Sequence, residues 1–200
     1  MINQRERSLV LIKPDGIQRS LVGELIRRYE CTGLKLVALK FLVPEPEQVR
    51  NHYLVDDKWI EKVGIKAMDS YRGRGLEPEI KDPVQQGEKV LERNVKYLTS
   101  GPIIAMVWEG NKAVGIVKKI TGGTEPLSSD VGTIRGDLTV DSYDVADIDD
   151  RSIRNLIHCS GTPDEAEKEI KIWFSKDEIL RYNLIQEKIL YDVNLDGIKE

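Results

Sequence analysis

Four short apolar runs constrain this chain more than any other feature. So many consecutive apolar residues in so little length suit strands buried on both faces. Residues 9–12 are the first run and residues 34–42 the second. Residues 103–108, entered by Gly101-Pro102, are the third, and the fourth ends at His158. Lys13-Pro-Asp-Gly16 after the first run is turn chemistry. Leu21, Val22, Leu25, Ile26 and Tyr29 then recur at helical spacing, with Gly33 placed to end that helix. Residues 47–99 are mostly helical in pattern, broken by a polar, Gly-rich stretch over 71–83 that predicts an exposed loop. Ala113, Ile116, Val117 and Ile120 predict a further helix, as do Ala166, Ile170 and Trp173. Residues 121–150 show little periodicity and predict a long loop, a length that is often functional inside a domain. Ser175-Lys-Asp-Glu178 reads as a capping box opening a C-terminal helix near 177–190, and the polar tail after Val193 as a mobile end. The order predicts an α+β fold: a ferredoxin-like βαββαβ antiparallel sheet with helical insertions, in a single domain over 1–200.

At 200 residues and 40% hydrophobic content, the chain can bury a core without disulfide or metal staples. Its net charge of −4 gives no ground for nucleic-acid binding through global basicity, so any anion site must be built locally. Two cysteines, Cys31 and Cys159, and two histidines make no metal-ligand spacing. Residues 1–7 lack an apolar signal core, and no run approaches the ~20 apolar residues of a membrane span. A cytoplasmic, reduced protein is expected.

Asn155-Leu-Ile-His158-Cys159-Ser160 places a histidine at a strand end. Thr162-Pro-Asp-Glu165 then opens a helix, with Thr162 as cap, Pro163 at its first position and Glu165 completing a capping box. An imidazole so fixed suits nucleophilic or proton-transfer work. Four further segments carry chemistry: Lys13 at the exit of the first strand, His52-Tyr53 late in a helix, Lys118-Lys119 with Thr124, and Gly132-Thr-Ile-Arg135-Gly136-Asp137. Taken singly, each has an ordinary reading: a solvated turn lysine, an amphipathic face, lysines matching a helix dipole, and an adhesion-like Arg-Gly-Asp tripeptide.

Together these segments resemble a nucleoside diphosphate kinase. Ile12-Lys-Pro-Asp-Gly16, Leu21-Val-Gly-Glu24, His52-Tyr53, Ser100-Gly-Pro102, Met106-Val-Trp-Glu-Gly110, Gly132-Thr-Ile-Arg-Gly-Asp137 and Asn155-Leu-Ile-His158 carry the resemblance. It covers 7–54, 94–138 and 153–175 and fails near 56–90 and 139–152, which read as insertions. The resemblance implies ping-pong transfer of the terminal phosphate of a nucleoside triphosphate, typically ATP, to a nucleoside diphosphate through phosphorylated His158. It further implies phosphate contacts from Arg135, Lys118 and Thr124, ribose contacts from Lys13 and Asn155, and Tyr53 beside His158. Ser160 and Glu169 would orient the ring. Mg²⁺ would travel on the nucleotide phosphates, with no protein metal ligands. Few base contacts would explain tolerance of many bases. A homo-oligomer, a dimer-based tetramer or hexamer, is implied as partner, with no membrane and no nucleic acid.

Bottom-up chemistry agrees. A free imidazole has a pKa near ~6.5, so much of it is neutral at pH 7 without a separate base. The chain lacks a Gly-x-x-x-x-Gly-Lys-Ser/Thr phosphate loop, so side chains must supply the positive charge. There are departures. Lys118 stands where the family has arginine, losing the bidentate fork unless Lys119 compensates. The base-stacking phenylalanine is replaced, with Val90 at the ungapped position and Trp59 as an alternative. Cys159 and Gly161 flank the site where glycine or alanine and aspartate are usual, and Cys159 predicts sensitivity to peroxide. Two competing readings stand beside the kinase: a nucleotide-binding regulatory module without turnover, and an RRM-type nucleic-acid binder, which would lack strand aromatics and a basic bias.

Overall fold

The computed structural model describes residues 5–56, 58–192 and 194–196. Its sheet has the order β2-β3-β1-β4 with every neighbouring pair antiparallel. The first strand, β1 (Arg5–Ile12), lies inside the sheet, and its residues Leu9, Val10, Leu11 and Ile12 are fully buried. It leads through α1 (Pro14–Gln18) and α2 (Val22–Glu30) to β2 (Lys35–Leu42). Three helices follow: α3 (Pro46–Tyr53), α4 (Trp59–Gly73) and α5 (Pro83–Leu98). Then come β3 (Ile103–Asn111), α6 (Ala113–Thr121), α7 (Ile134–Leu138) and α8 (Tyr143–Ile148). The chain returns through β4 (Ile157–Cys159) and α9 (Pro163–Trp173), and ends its described elements with α10 (Glu187–Leu190). The strand-and-helix order is the one expected from the sequence, and the fold is α+β. Among the described residues no helix is long and apolar enough to cross a membrane.

Alternation along the strands divides the core in two. Leu9, Leu11, Val37, Ala105 and Val107 face one side and pack with Val49 of α3, Leu91 and Val95 of α5, and Ile170 and Trp173 of α9. Val10, Ile12, Met106 and Trp108 face the other and pack with Leu25 and Tyr29 of α2 and with Ala113 and Val117 of α6. This register decides where His158 goes. It pairs with Leu11, so it shares Leu11's face and enters the α3–α9 layer, whereas its neighbours Ile157 and Cys159 turn to the other cluster.

Several local expectations are corrected. The stretch after Lys13 is a short helix, because Pro14 supplies a first-turn φ and Gly16 and Ile17 donate back to the Lys13 carbonyl. The supposed loop over 71–83 begins later, since Tyr71, Arg72 and Gly73 complete α4. The 121–150 region contains two short helices, capped by Thr133 and Ser142. The Arg-Gly-Asp tripeptide lies in α7 with Arg135 buried, which removes the adhesion reading. Thr162 does cap α9, but the Glu165 carboxylate accepts from Gly161 N–H at 2.9 Å instead of closing a box with Thr162. The helix expected near 177–190 is reduced to its last turn, α10 (Glu187–Leu190). Ser175 and Glu178 form their box on a single 3₁₀ turn, Lys176–Glu178. The chain then runs along the outer edge of β2: Leu180 N–H donates to Val37 O at 2.8 Å and the Tyr182 hydroxyl to Leu36 O at 2.6 Å. An unpaired strand edge outcompetes helix propensity for those backbone groups. The tail expectation after Val193 falls largely outside the described residues.

Helices α4 and α5 cross in backbone contact. A Cβ on Gly64 would lie 1.8 Å from Pro83 O, and one on Gly87 would lie 2.0 Å from Ile60 O. Only glycine permits that approach. Gly87→Ala is therefore expected to destabilise the protein by roughly 1–3 kcal/mol, read from the urea midpoint. Gly73→Ala, whose Cβ meets nothing within 4 Å, should be neutral or stabilising by up to about 1 kcal/mol.

Candidate active site

His158 is the centre of the site because three elements converge on it. Its Nε2 lies 2.9 Å from Glu169 Oε1, on α9. The other carboxylate oxygen, Oε2, accepts from the Ser160 hydroxyl at 2.5 Å, and Ser160 Oγ in turn accepts from Leu9 N–H at 3.1 Å. Glu169 and Ser160 are buried, so this arrangement is fixed by packing as well as by hydrogen bonds. A carboxylate facing Nε2 holds the ring proton there, which leaves the Nδ1 lone pair free. The His158 side chain keeps 17% exposure.

The ring's floor is His52, on α3, whose ring centroid is 4.3 Å away at 84°. Trp173 Nε1–H donates to His52 Nδ1 at 3.3 Å. Tyr53 sits beside both histidines, 6.3 Å from His158 between centroids, and its ring lies 5.2 Å from that of Trp59, tilted by 42°. Burial, then the neighbouring Lys13 charge, push the His158 pKa down to about 3. Burial and the adjacent His158 do the same to His52, also to about 3. Both imidazoles are therefore neutral at pH 7. Burial raises the Glu169 pKa, opposed by His52 and by the Ser160 hydrogen bond.

A second chain of contacts runs alongside. Lys13 Nζ donates to Asn155 Oδ1 at 2.7 Å, and Asn155 Nδ2 donates to Thr124 O at 2.8 Å. Lys13 Nζ also lies 5.0 Å from the centre of the Tyr97 ring. Burial and the nearby Arg135 charge lower the Lys13 pKa to about 7, so its proton is held weakly until an anion arrives. The turn that delivers His158 is itself strained: Leu156 is a buried, bulky residue at φ 65°. Lys13 N–H to Leu156 O at 2.8 Å and Leu156 N–H to Asp15 Oδ2 at 3.2 Å hold it there.

Arg135 differs from expectation. Its Nε–H donates to Asn155 O at 3.1 Å, Nη1 to Gly122 O at 3.1 Å and Gly123 O at 2.8 Å, and Nη2 to Ile157 O at 2.5 Å. Four of about five guanidinium N–H groups are thus committed to backbone carbonyls. The planar fork expected to grip two phosphate oxygens is instead a clasp between the 122–123 turn and β4, with its charge still beside the site. Lys118 is exposed and donates to Gly161 O at 3.3 Å, next to the His158 strand. Thr124 is exposed at the same mouth.

All nine residues expected from the sequence are therefore near one another. Two others were missed as site residues. His52 was visible in the His52-Tyr53 pair but had no assigned role, and Tyr97 was hidden in an ordinary helical run. Cys159 faces the second core cluster, and burial raises its thiol pKa, so the expected peroxide sensitivity loses its chemical basis.

His52, His158 and Glu169 are the grouping of metal-ligand type among the described residues, with ligand atoms within 4.8 Å of one another. Its nitrogen donors and its internal hydrogen bond suit no hard cation. A neutral nucleophilic nitrogen facing fixed positive charge suits phosphoryl transfer, and this puts the chain among phosphotransferases built on a ferredoxin-like sheet. The comparisons with known proteins agree. The family model for nucleoside diphosphate kinase matches residues 6–61 and 83–179. Nucleoside diphosphate kinase of Pyrobaculum aerophilum is 45% identical over 179 residues, covering 88% of this chain and 98% of that one. A solved structure of the NDP kinase from that organism superimposes with a TM-score of 0.85 at 42% identity, over 88% of this chain and 100% of its own. A transition state mimic of the Borrelia burgdorferi enzyme, with bound vanadate and ADP, gives a TM-score of 0.76 at 32% identity, over 92% and 95% of the two chains. The chain belongs to the nucleoside diphosphate kinase family, and it is an enzyme acting on nucleotides.

The shifted pKa values predict an unusual titration. The ring resonances of His158 and His52 should stay at their neutral positions from pH 8 down to pH ~5 in NMR spectra of the nucleotide-free protein. A midpoint near ~6.5 for either ring would contradict the burial and charge argument.

Proposed function

We propose that His158 Nδ1 is the nucleophile of this kinase and that the remaining residues of the cleft position and neutralise the polyphosphate. The observation that carries this is the 2.9 Å contact between His158 Nε2 and Glu169, which fixes the proton on the far nitrogen. In the first half-reaction Nδ1 attacks the terminal phosphorus of a nucleoside triphosphate in line. A nitrogen–phosphorus bond forms, the phosphorus–oxygen bond to the leaving diphosphate breaks, and the diphosphate departs with the electron pair. The ring becomes more positive and Glu169 offsets that charge through Nε2–H. The second half-reaction is the reverse, with a different nucleoside diphosphate as acceptor. No water is activated at any stage.

Lys13, Arg135 and Lys118 supply positive charge where the equatorial oxygens develop negative charge. Arg135 contributes its charge and its one uncommitted N–H. Lys13 is tied to Asn155, and this pair suits the ribose hydroxyls together with the transferred phosphate. Thr124 lies at the phosphate mouth, Tyr53 walls the ring, and Ser160 holds Glu169 in place. Mg²⁺ fits as a passenger of the nucleotide: the cleft offers cations and amides, and among the described residues no carboxylate cage faces it. Bound on the phosphates, the ion would supply charge neutralisation.

We further propose a single domain with insertions over 56–90 and 139–152, a cytoplasmic location and a homo-oligomer, a dimer-based tetramer or hexamer. The free thiols Cys31 and Cys159 support a reducing compartment. Exposed Leu39, Phe41 and Val43, on and just after the outer part of β2, support a protein partner at that edge.

Incubation with labelled ATP should leave acid-labile, alkali-stable phosphate on His158, and a nucleoside diphosphate should discharge it. Label that persists after the diphosphate is added would instead indicate a regulatory module. His158→Ala should lose phosphate exchange by at least about 10³-fold while ADP affinity stays within a few-fold. For Lys118→Arg, calorimetry should give ADP affinity equal to or tighter than wild type, because a bidentate donor replaces a point charge. A loss of about tenfold or more there would remove Lys118 from the phosphate site.

A further inference from the structure

Among the described residues, Asp15 Oδ1, His52 Nε2, Tyr97 Oη and Trp108 Nε1 are buried without a hydrogen-bond partner. Trp108 lies in the second core cluster, and His52 is already the floor of the His158 ring. Asp15 and Tyr97 are neighbours. Burial, then the Asp15 carboxylate, hold the Tyr97 phenol well above the usual tyrosine range. A donor and an acceptor therefore lie side by side, each buried and each unused.

Tyr97 belongs to the last turn of α5, where Val95 and Leu98 anchor the helix in the first core cluster. Its ring face carries the Lys13 ammonium, 5.0 Å from the centre. An ammonium gains most from an aromatic face when both are out of water. The Tyr97 hydroxyl meets the carboxylate whose other oxygen accepts from Leu156 N–H at 3.2 Å and so sets the turn before His158. One side chain thus touches a cation whose charge reaches His158 and the residue that aims the histidine strand. Leaving a hydroxyl unpaired in the interior costs stability, and phenylalanine would avoid that cost. The hydroxyl is explained if it finds its partner once substrate is bound. Lys13 is held back by Asn155 and by the ring, and an arriving phosphate draws it forward. The ring is then free to make the small shift toward Asp15 that its hydroxyl needs.

We propose that Tyr97 is a positioning residue for the transfer: its ring holds the Lys13 ammonium at the cleft, and its hydroxyl closes on Asp15 Oδ1 when a polyphosphate draws that ammonium forward, tightening the turn that aims His158. The hydroxyl half of this role rests on the reading of His158 given above. The ring half needs no turnover. Around the Lys13 ammonium stand Asp15 of α1, His52 of α3, Arg135 of α7, and His158 and Cys159 of β4. Both histidines are neutral and the buried thiol keeps its proton between about pH 5 and 8, so a titration over that range reports the lysine.

The first measurement is the carbon NMR titration of the Lys13 side chain in nucleotide-free protein, with wild type expected to turn over near pH 7. Tyr97→Phe keeps the ring and should keep that midpoint. In Tyr97→Leu the charged form loses the ring, and the midpoint should fall by about one pH unit. The second measurement is the rate at which ATP forms phosphohistidine. Tyr97→Phe sheds an unpaired hydroxyl, so its melting temperature should equal or exceed that of wild type, yet it should form phosphohistidine about tenfold more slowly with ADP affinity within about twofold. A merely structural tyrosine would show the stability change without the rate loss. Asp15→Asn should slow the step by a smaller factor in Tyr97→Phe than in wild type, since the partner hydroxyl is already gone. A Lys13 midpoint unchanged or raised in Tyr97→Leu, Tyr97→Phe as fast as wild type, or equal Asp15→Asn factors in the two backgrounds would each overturn the proposal. Should Tyr97→Leu not fold, the Tyr97→Phe rate decides. If wild type forms no phosphohistidine, the reading of His158 has failed separately, and the Lys13 titration decides the role of Tyr97.

Discussion

The structure depends on one buried carboxylate. Glu169 reaches from α9 to His158 Nε2 with one oxygen and receives the Ser160 hydroxyl with the other. Such a group is costly to bury unless its lone pairs are used. Here they are used by two residues of the segment that begins as β4, which binds the strand to the helix packed over it. In the mechanism proposed above, the same contact gives the imidazole a defined reactive face. Stability of the local fold and readiness of Nδ1 are therefore one arrangement.

Around that contact the molecule keeps its positive charge close but restrained. Lys13 is buried against Asn155 and Tyr97, and Arg135 is spent largely on carbonyls. In the proposed transfer these fixed charges are the source of electrostatic help, in a reaction with little covalent chemistry of its own. The strained Leu156 shows where this precision costs something: an unfavourable backbone angle sets the turn immediately before the histidine strand, and Asp15 and Lys13 hold it.

The outer helices follow a different logic. α4 and α5 meet through Gly64 and Gly87 in direct backbone contact, and α8 is tied on by arginine–aspartate pairs. Residues 62–82, where the match to the family model is interrupted, lie in α4 and the loop after it. The sheet, its histidine, α5 and α8 thus fall within the stretches that match the family model, and only most of α4 with the loop after it falls in the gap.

Much of the fold was legible because it depends on local pattern. Runs of apolar residues gave the strands, helical spacing gave α2, α6 and α9, and the Thr162 and Ser175 caps were readable from side-chain chemistry. The His158 segment stood out for the same reason. What sequence could not decide was anything that depends on competition between distant groups. The edge of β2 captured residues 180–182 from the helix their cap announced, Glu165 turned to Gly161 in place of Thr162, and Arg135 turned to four carbonyls in place of an open fork. His158 and Glu169 are eleven residues apart, yet their meeting needs β4 to pair with β1 in one register, since a slip of one residue would turn the imidazole into the opposite core. The sequence by itself determined which chemistry was available and the order of the elements that carry it. Only the tertiary structure decided which nitrogen is free and which cations remain to meet a phosphate, because each is settled by long-range packing and by which buried polar groups find partners.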